Sequence, residues 1–285
     1  MKRSNFRFLE RLRVRWAEVD MQKIVFNGHY LMYFDTAVAG YWRAMALPYH
    51  DTMAALQGDL YVRKATVEYM GSARYDDALE VGIRCERIGN SSMLFQAAVF
   101  NGEQALVTGE LVYVFADPAS QTSRPIPAPL RELLTAFEAG EPMVQLRTGR
   151  WDDLGPQAHP LRKAVFVEEQ KIPAELEWDA ADATALHALA VNRLGQVLGT
   201  GRLVALANGT GKIGRMAVLR VARGGQVGRA LLQALVQAAR ERELGAVVLH
   251  AQASAVGFYR RQGFEPRGPA FEEAGIPHQE MVLAL

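Results

Sequence analysis

Two stretches of this chain hold residue types that could do chemistry. In the first, Asp20 leads into Ile24-Val25-Phe26 and then Asn27-Gly28-His29-Tyr30, at the head of the apolar segment 29–47. If that segment is a helix, its N-terminus presents unpaired N–H groups and the positive end of the dipole. Gly28 lets a ligand come close to the backbone there. Such a site suits a carbonyl oxygen that turns negative in a transition state. A carboxylate facing it, Asp20, can act as nucleophile or as base for water, the pairing that acyl-thioester hydrolysis requires. The competing reading makes Asp20 a turn or cap residue. His29 either polarises substrate or caps the helix. Two further carboxylates are read as structural: Glu68, and Asp35, which interrupts the apolar helix surface at a subunit contact.

The second stretch is Arg223-Gly224-Gly225-Gln226-Val227-Gly228, between a β-rich run and the helical pattern VGRALLQALVQAARERE. Glycines let backbone N–H groups turn toward an anion, and the helix dipole favours a pyrophosphate at that end. The plainer alternative is a tight strand–helix link. Arg202 and Arg215, both in β-rich runs, either meet an acidic substrate or are solvated.

The elements around these residues follow from periodicity. Tyr30, Phe34, Ala37, Tyr41 and Met45 recur at helical spacing and predict a helix over 28–46, with Leu31, Met32, Val38 and Trp42 making its other face apolar too. A helix apolar all round needs cover on most sides. Strands predicted at 10–18, 60–69, 78–88, 92–101 and 104–115 supply it. Turn signals Gly89-Asn90 and Asn101-Gly102 join the later ones, and links so short require an antiparallel sheet. Pro129 opens a short amphipathic helix that Gly140-Glu141-Pro142 ends, so the domains are read as 1–142 and 143–285. The second half predicts a strand over 143–150, a helix near 158–170, strands at 185–192, 196–206 and 211–221, the long helix, a strand over 245–252, a short helix at 256–262 and a final β region. The fold class is α+β: a sheet wrapped on one helix, then a mixed α/β domain.

Composition narrows the function. A length of 285 residues favours two domains, and a net charge of +1 gives no reason to expect nucleic acid or an anionic membrane as partner. The single cysteine, Cys85, excludes an internal disulfide and a cysteine-rich metal site, and no metal site is expected. His29, Asp35, Thr36 and Arg43 make residues 29–47 a poor membrane span. The N-terminal residues alternate charged and apolar types rather than forming an unbroken apolar stretch. The expectation is a cytoplasmic protein.

The first half resembles the hot-dog acyl-CoA thioesterases of the 4-hydroxybenzoyl-CoA thioesterase type, over roughly residues 8–140. The resemblance rests on RVRWAEVDMQKIVFNGHYLMYFDTA, VEYMGSARYDDALEV and RIGNSSMLFQAAVF. It implies that Asp20 is the catalytic carboxylate, that the Asn27–Tyr30 backbone, with Gly28 and His29, binds the oxyanion, and that the chain forms a homodimer or tetramer through this domain. Two positions depart from the family pattern: Lys23 stands where glycine is frequent, and Asn27 where His or Tyr is frequent. The second half, over about 144–285, resembles the GCN5-related N-acetyltransferases, in particular their ElaA-like branch. That likeness rests on FVEEQKIPAELEWDAAD, ALHALAV, KIGRMAVLRVARGGQVGRALL, HAQASAVGFYRRQGF and FEEAGIPHQEM. It implies that Arg223, Gly224, Gly225, Gln226, Val227, Gly228 and Arg229 form the pyrophosphate loop for acetyl-CoA. It further implies that Met216, Ala217 and Val218 hold the pantetheine arm and that Tyr259 protonates the leaving thiolate. Gln226 replaces a usual glycine. Glu169 and His278 are candidate bases for an amine, with helix cap and turn residue as the alternatives. The two resemblances together imply a bifunctional acyl-CoA enzyme with acyl-CoA and acetyl-CoA as substrates, an amine as second acceptor and no tightly bound cofactor. The alternative is a single active domain beside a CoA-binding or dimerising one.

Overall fold

The computed structural model describes residues 1–207 and 209–285. The chain divides into two compact units, Met1–Met143 and Val144–Leu285.

In the first unit, β1 (Phe8–Arg13), β2 (Asp59–Tyr69), β3 (Ala78–Ile88), β4 (Ser92–Asn101) and β5 (Gln104–Ala116) form one sheet in the order β1-β3-β4-β5-β2. Every pairing is antiparallel. The helix α1 (His29–Ala44) lies on it, followed by α2 (Tyr49–Ala55) and, at the end of the unit, α3 (Ala128–Glu138). Tyr30, Tyr33, Phe34, Ala37, Val38, Tyr41 and Trp42 are buried. Tyr41 anchors the aromatic centre, with ring centroids 5.7 Å from Phe95 and 5.0 Å from Phe137 of α3. Gly109 lets helix and sheet meet, since a Cβ there would lie 2.7 Å from both the Phe34 ring and the Thr66 carbonyl oxygen.

Two expectations are corrected. The first strand runs Phe8–Arg13 rather than 10–18, because the chain turns into a single 3-10 turn at Trp16–Glu18. That turn is held by Glu18, whose carboxylate accepts from the backbone N–H and the guanidinium of Arg15. The sheet also covers only one side of α1. Leu31, Met32, Asp35, Thr36, Ala39 and Arg43 stay exposed, Met32 by 52%.

In the second unit, β6 (Val144–Gly149), β7 (Leu186–Asn192), β8 (Val197–Ala205), β9 (Thr210–Val218), β10 (Ala246–Gln252), β11 (Glu265–Pro266) and β13 (Ile276–Ala284) form a sheet in the order β11-β13-β10-β9-β8-β7-β6, and β12 (Phe271–Glu273) pairs with β13. The helix α6 (Val227–Glu241) packs on one face, with Leu231 and Leu235 filling the space above Gly199 and Gly201. The helix α4 (Trp151–Arg162) packs on the other through Leu154, Ala158 and Leu189. Between them in sequence lies the four-residue α5 (Ala174–Glu177), and α7 (Val256–Arg260) follows β10. The helix expected near 158–170 begins at Trp151 and changes to a π-helical turn over Lys163–Glu169. Pro156 and Pro160 lie inside α4. Each lacks an N–H for the helix ladder, which disguises the helix in the sequence.

The site rests on one feature of β9. It pairs with β10 in parallel only at Thr210–Lys212 against Ala246–Val248, and beyond Lys212 the strands part. On its other side, the register with β8 shifts between Thr200 and Arg202, and Arg215 takes φ 52°. A bulge of this kind re-aims side chains.

Candidate active sites

The loop before α1 is closed by its own hydrogen bonds. The Asp20 N–H donates to the Ile24 carbonyl at 2.9 Å, and the Lys23 N–H donates to the Asp20 carbonyl at 3.0 Å. Asp20 Oδ1 accepts from the Gln22 N–H at 2.7 Å, so the turn role is real. Oδ2 has no partner among the described residues, and the side chain is half-buried. Lys23 sits at φ 62°, in the left-handed region where glycine is at ease. The frequent glycine here thus has a conformational reason, and Lys23 keeps the same backbone shape.

Beneath the loop lies a carboxylate that the sequence reading missed. Glu18 is buried, and besides Arg15 it accepts from Tyr33 Oη at 2.7 Å. Burial pushes its pKa up, but the bonds from Arg15 and Tyr33 outweigh this and hold it below the usual carboxylate range. Its backbone carbonyl accepts from the Phe26 N–H at 2.9 Å, which ties the 3-10 turn to the approach of α1. The only sequence signal was its position two residues before Asp20.

At the head of α1, Gly28 is the N-cap and makes no side-chain cap. The His29 N–H donates to the Phe26 carbonyl at 2.9 Å. The N–H groups of Asn27 and Gly28 have no acceptor among the described residues. Tyr69 Oη fixes the Asn27 carbonyl at 3.1 Å. His29 does not cap: its ring packs against Phe26, and Nδ1 lies 3.3 Å from the Met32 sulfur. Glu68 and Asp35 are both exposed. Cys85 is no nucleophile, because burial pushes its thiol up to about 12 and leaves almost no thiolate at neutral pH.

In the second unit a cavity of about 690 Å³ opens where β9 and β10 part. Met216 and Tyr259 line it, as do Arg215, His250, Glu273 and His278. Ala217 and Val218 continue the parted stretch of β9. Tyr259 is mostly buried between Phe258 and Phe264, at 4.9 and 5.9 Å, and burial raises its phenol to about 12. It therefore stays protonated at neutral pH.

Arg223–Gln226 form the turn into α6, with Gly224 at φ 83° and Gln226, the N-cap, at φ 66°. The N–H groups of Gln226, Val227, Gly228 and Arg229 have no acceptor among the described residues. They lie at the positive end of a fifteen-residue helix, a position that favours a phosphate. Gln226 is exposed and occupies the backbone conformation a glycine would. Glu169 is neither a helix cap nor a free base. It forms a two-pronged pair with Arg223 at 2.6 and 2.7 Å, and this bond above all lowers its pKa. His278 lies on a strand rather than in a turn, with Nδ1 2.7 Å from the Ile276 carbonyl.

Arg202 is not solvated. It is buried in a network in which Arg162 pairs with Glu177 at 2.5 Å and Asp182 at 2.9 Å, and Arg202 with Asp179 at 2.6 Å and Asp182 at 2.8 Å. Arg215 joins it through the Glu177 carboxylate at 3.2 Å and Asp179 at 3.1 Å. Trp151 and Trp178 cover the Arg162 guanidinium. The carboxylates all come from the run ELEWDAAD, a clustering visible in the sequence but not readable as a partner set. Among the described residues no group of three His, Cys, Asp or Glu side chains could hold a metal ion, and no helix is long and apolar enough to cross a membrane.

Comparison with known proteins agrees with both halves. Residues 22–108 match the Thioesterase superfamily, and residues 152–285 match the Acetyltransferase (GNAT) domain. The uncharacterised N-acetyltransferase YjcF of Bacillus subtilis is 36% identical over 123 residues, which are 43% of this chain and 86% of that protein. The acyl-CoA thioester hydrolase YbgC of Escherichia coli is 28% identical over 120 residues, 41% of this chain and 87% of that protein. The crystal structure of Escherichia coli ElaA covers 49% of this chain and 99% of its own, with 28% identity and a TM-score of 0.45. The chain thus belongs to the GNAT acetyltransferase family through its second half and carries a thioesterase-superfamily domain in its first.

Proposed function

We propose that the chain is a bifunctional acyl-CoA enzyme, hydrolysing acyl-CoA thioesters in one unit and acetylating an amine in the other. The observation that carries the first activity is the pair of unbonded backbone donors, Asn27 and Gly28, at the head of α1, next to a loop whose carboxylate keeps one oxygen free. The thioester carbonyl oxygen takes those donors and the helix dipole as its negative charge grows. Asp20 Oδ2 attacks the carbonyl carbon or takes the proton of an attacking water. His29, beside these donors, polarises the same oxygen.

In the second unit the diphosphate of acetyl-CoA rests on Arg223–Arg229, and Met216, Ala217 and Val218 hold the pantetheine arm along the unpaired edge of β9. Tyr259 gives its proton to the departing thiolate. Coenzyme A thioesters are substrates here, not resident cofactors. The exposed stripe of α1 and the edge strand β2, with Tyr61 and Val62 outward, suit a second copy of this chain. We place the protein in the cytoplasm.

The test is thiol release from a panel of acyl-CoAs without amine, comparing wild type with Asp20→Asn. Asparagine can accept the Gln22 N–H as aspartate does, so the turn survives. Hydrolysis is expected to fall about 10²–10⁴-fold. Absence of wild-type hydrolysis on every acyl-CoA would make the first unit a binding or dimerising module.

A further inference from the structure

Three side chains in the cavity of the second unit, His250, Glu273 and His278, are left without a role by acetyl-CoA binding and thiolate protonation. His250 lies on β10 and His278 on β13, where Gln252 faces His278 and His250 faces Glu280. Residues two apart on a strand share a face, so both imidazoles stand on one side of the sheet. Phe271 packs edge-on to His250 at 4.9 Å and stacks with His278 at 6.0 Å. His250 Nδ1 lies 2.8 Å from Glu273 Oε2.

An ionised carboxylate only accepts, so Nδ1 of His250 carries the proton and the lone pair of the neutral ring sits on Nε2. The charged groups around it are Glu273 on β12, Glu280 and His278 on β13, Lys212 on β9, and Arg267, which pairs with Glu280 at 2.6 Å. Burial pushes Glu273 up, but His250, followed by the charges of His278 and Lys212, brings it below the usual range. His278 is also fixed through Nδ1, but by the Ile276 carbonyl, which has no full charge to stabilise an imidazolium.

We propose that His250, oriented by Glu273, is the general base that deprotonates a primary ammonium acceptor for acetyl transfer. The proposal rests on the acetyltransferase reading of this unit. Nε2 takes one proton from the ammonium. The freed nitrogen lone pair attacks the thioester carbon, and the tetrahedral intermediate collapses as the C–S bond breaks. Tyr259 protonates the sulfur and regains a proton from the amide nitrogen, while the proton on His250 passes to water. The products are an N-acetyl amine, free coenzyme A and one proton.

The experiment uses the full chain, acetyl-CoA, and ethanolamine, L-lysine, putrescine and 2-phenylethylamine as acceptors. The acetylated amine is measured by mass spectrometry, which ignores thioester hydrolysis. Wild-type kcat/KM is taken at pH 7 with each amine, and at least one amine should be acetylated. His250→Asn should lower it about 100-fold. Glu273→Gln, at a half-exposed site, should lower kcat several-fold with KM for acetyl-CoA unchanged, because it frees the His250 ring without touching the coenzyme loop. The 15N chemical shifts of the His250 ring, which need no acceptor, should report the proton on Nδ1 in wild type and a loss of that preference in Glu273→Gln. An unchanged His250 tautomer in that variant overturns the pairing. Acetylation lost in His278→Asn and kept in His250→Asn overturns the assignment of the base. No acetylated product from wild type with any of the four amines overturns the acetyltransferase reading beneath it.

Discussion

Lys23 and Gln226 are the residues at which this chain departs from a glycine-bearing pattern in each half, and both sit at positive φ, 62° and 66°. A left-handed backbone costs a residue with a Cβ about 1–2 kcal/mol, and glycine gives part of that back through the entropy of the unfolded chain. Lys23→Gly should therefore raise stability by about 0.5–1 kcal/mol, seen as a higher urea midpoint at unchanged slope. Its effect on hydrolysis separates two roles. If Lys23 only occupies the conformation, acyl-CoA hydrolysis stays as in wild type. If its ammonium meets a CoA phosphate, KM rises and the rise shrinks with added salt, because exposed charges are screened.

Secondary structure was legible wherever one face of an element is apolar: α1, the strands β2 to β5 and α6 are within a few residues of where periodicity puts them. It was not legible where polar bonds replace periodicity. The turn at Trp16–Glu18 is fixed by one carboxylate, and α4 carries two prolines. Asp20 and the glycine turn at Arg223–Gly228 were visible as types in a sequence context, whereas the pairing of His250 with Glu273 joins residues of β10 and β12 that no spacing rule connects. The buried network is the same case, since Arg162 of α4 meets carboxylates from the segment after α5. Arg162 is only 1% exposed. Arg162→Met should destabilise the second unit by about 3 kcal/mol, because it strands buried carboxylates, although Arg202 and Arg215 still neutralise part of their charge. The pH dependence has a sign. Burial above all already raises Glu177, and without Arg162 its folded pKa climbs further. A carboxyl raised on folding contributes stability below its unfolded pKa and loses it as pH rises through the folded value. The loss in melting temperature should thus be largest at neutral pH and shrink toward pH 5.

At the scale of the whole chain, no strand pairing crosses Met143–Val144 among the described residues, and each side has its own sheet and its own buried aliphatic and aromatic side chains. A unit of this size with one closed core can fold alone. Residues 1–143 and 144–285, made separately, should each unfold cooperatively. Tryptophan serves as a local probe in both, Trp42 in the core beside Tyr41 and Trp178 stacked on His159 at 4.0 Å. Fluorescence and far-UV circular dichroism should give coincident transitions for each piece. The candidate sites obey the same division, since the loop of Asp20 and the head of α1 lie wholly in the first unit and the cavity wholly in the second. Acyl-CoA hydrolysis should then survive in 1–143 and amine acetylation in 144–285, each with the kcat/KM it has in the intact chain. A folded piece that loses its activity would show that its site depends on the other half, and fusion would then be part of the chemistry rather than a way of keeping two acyl-CoA activities together.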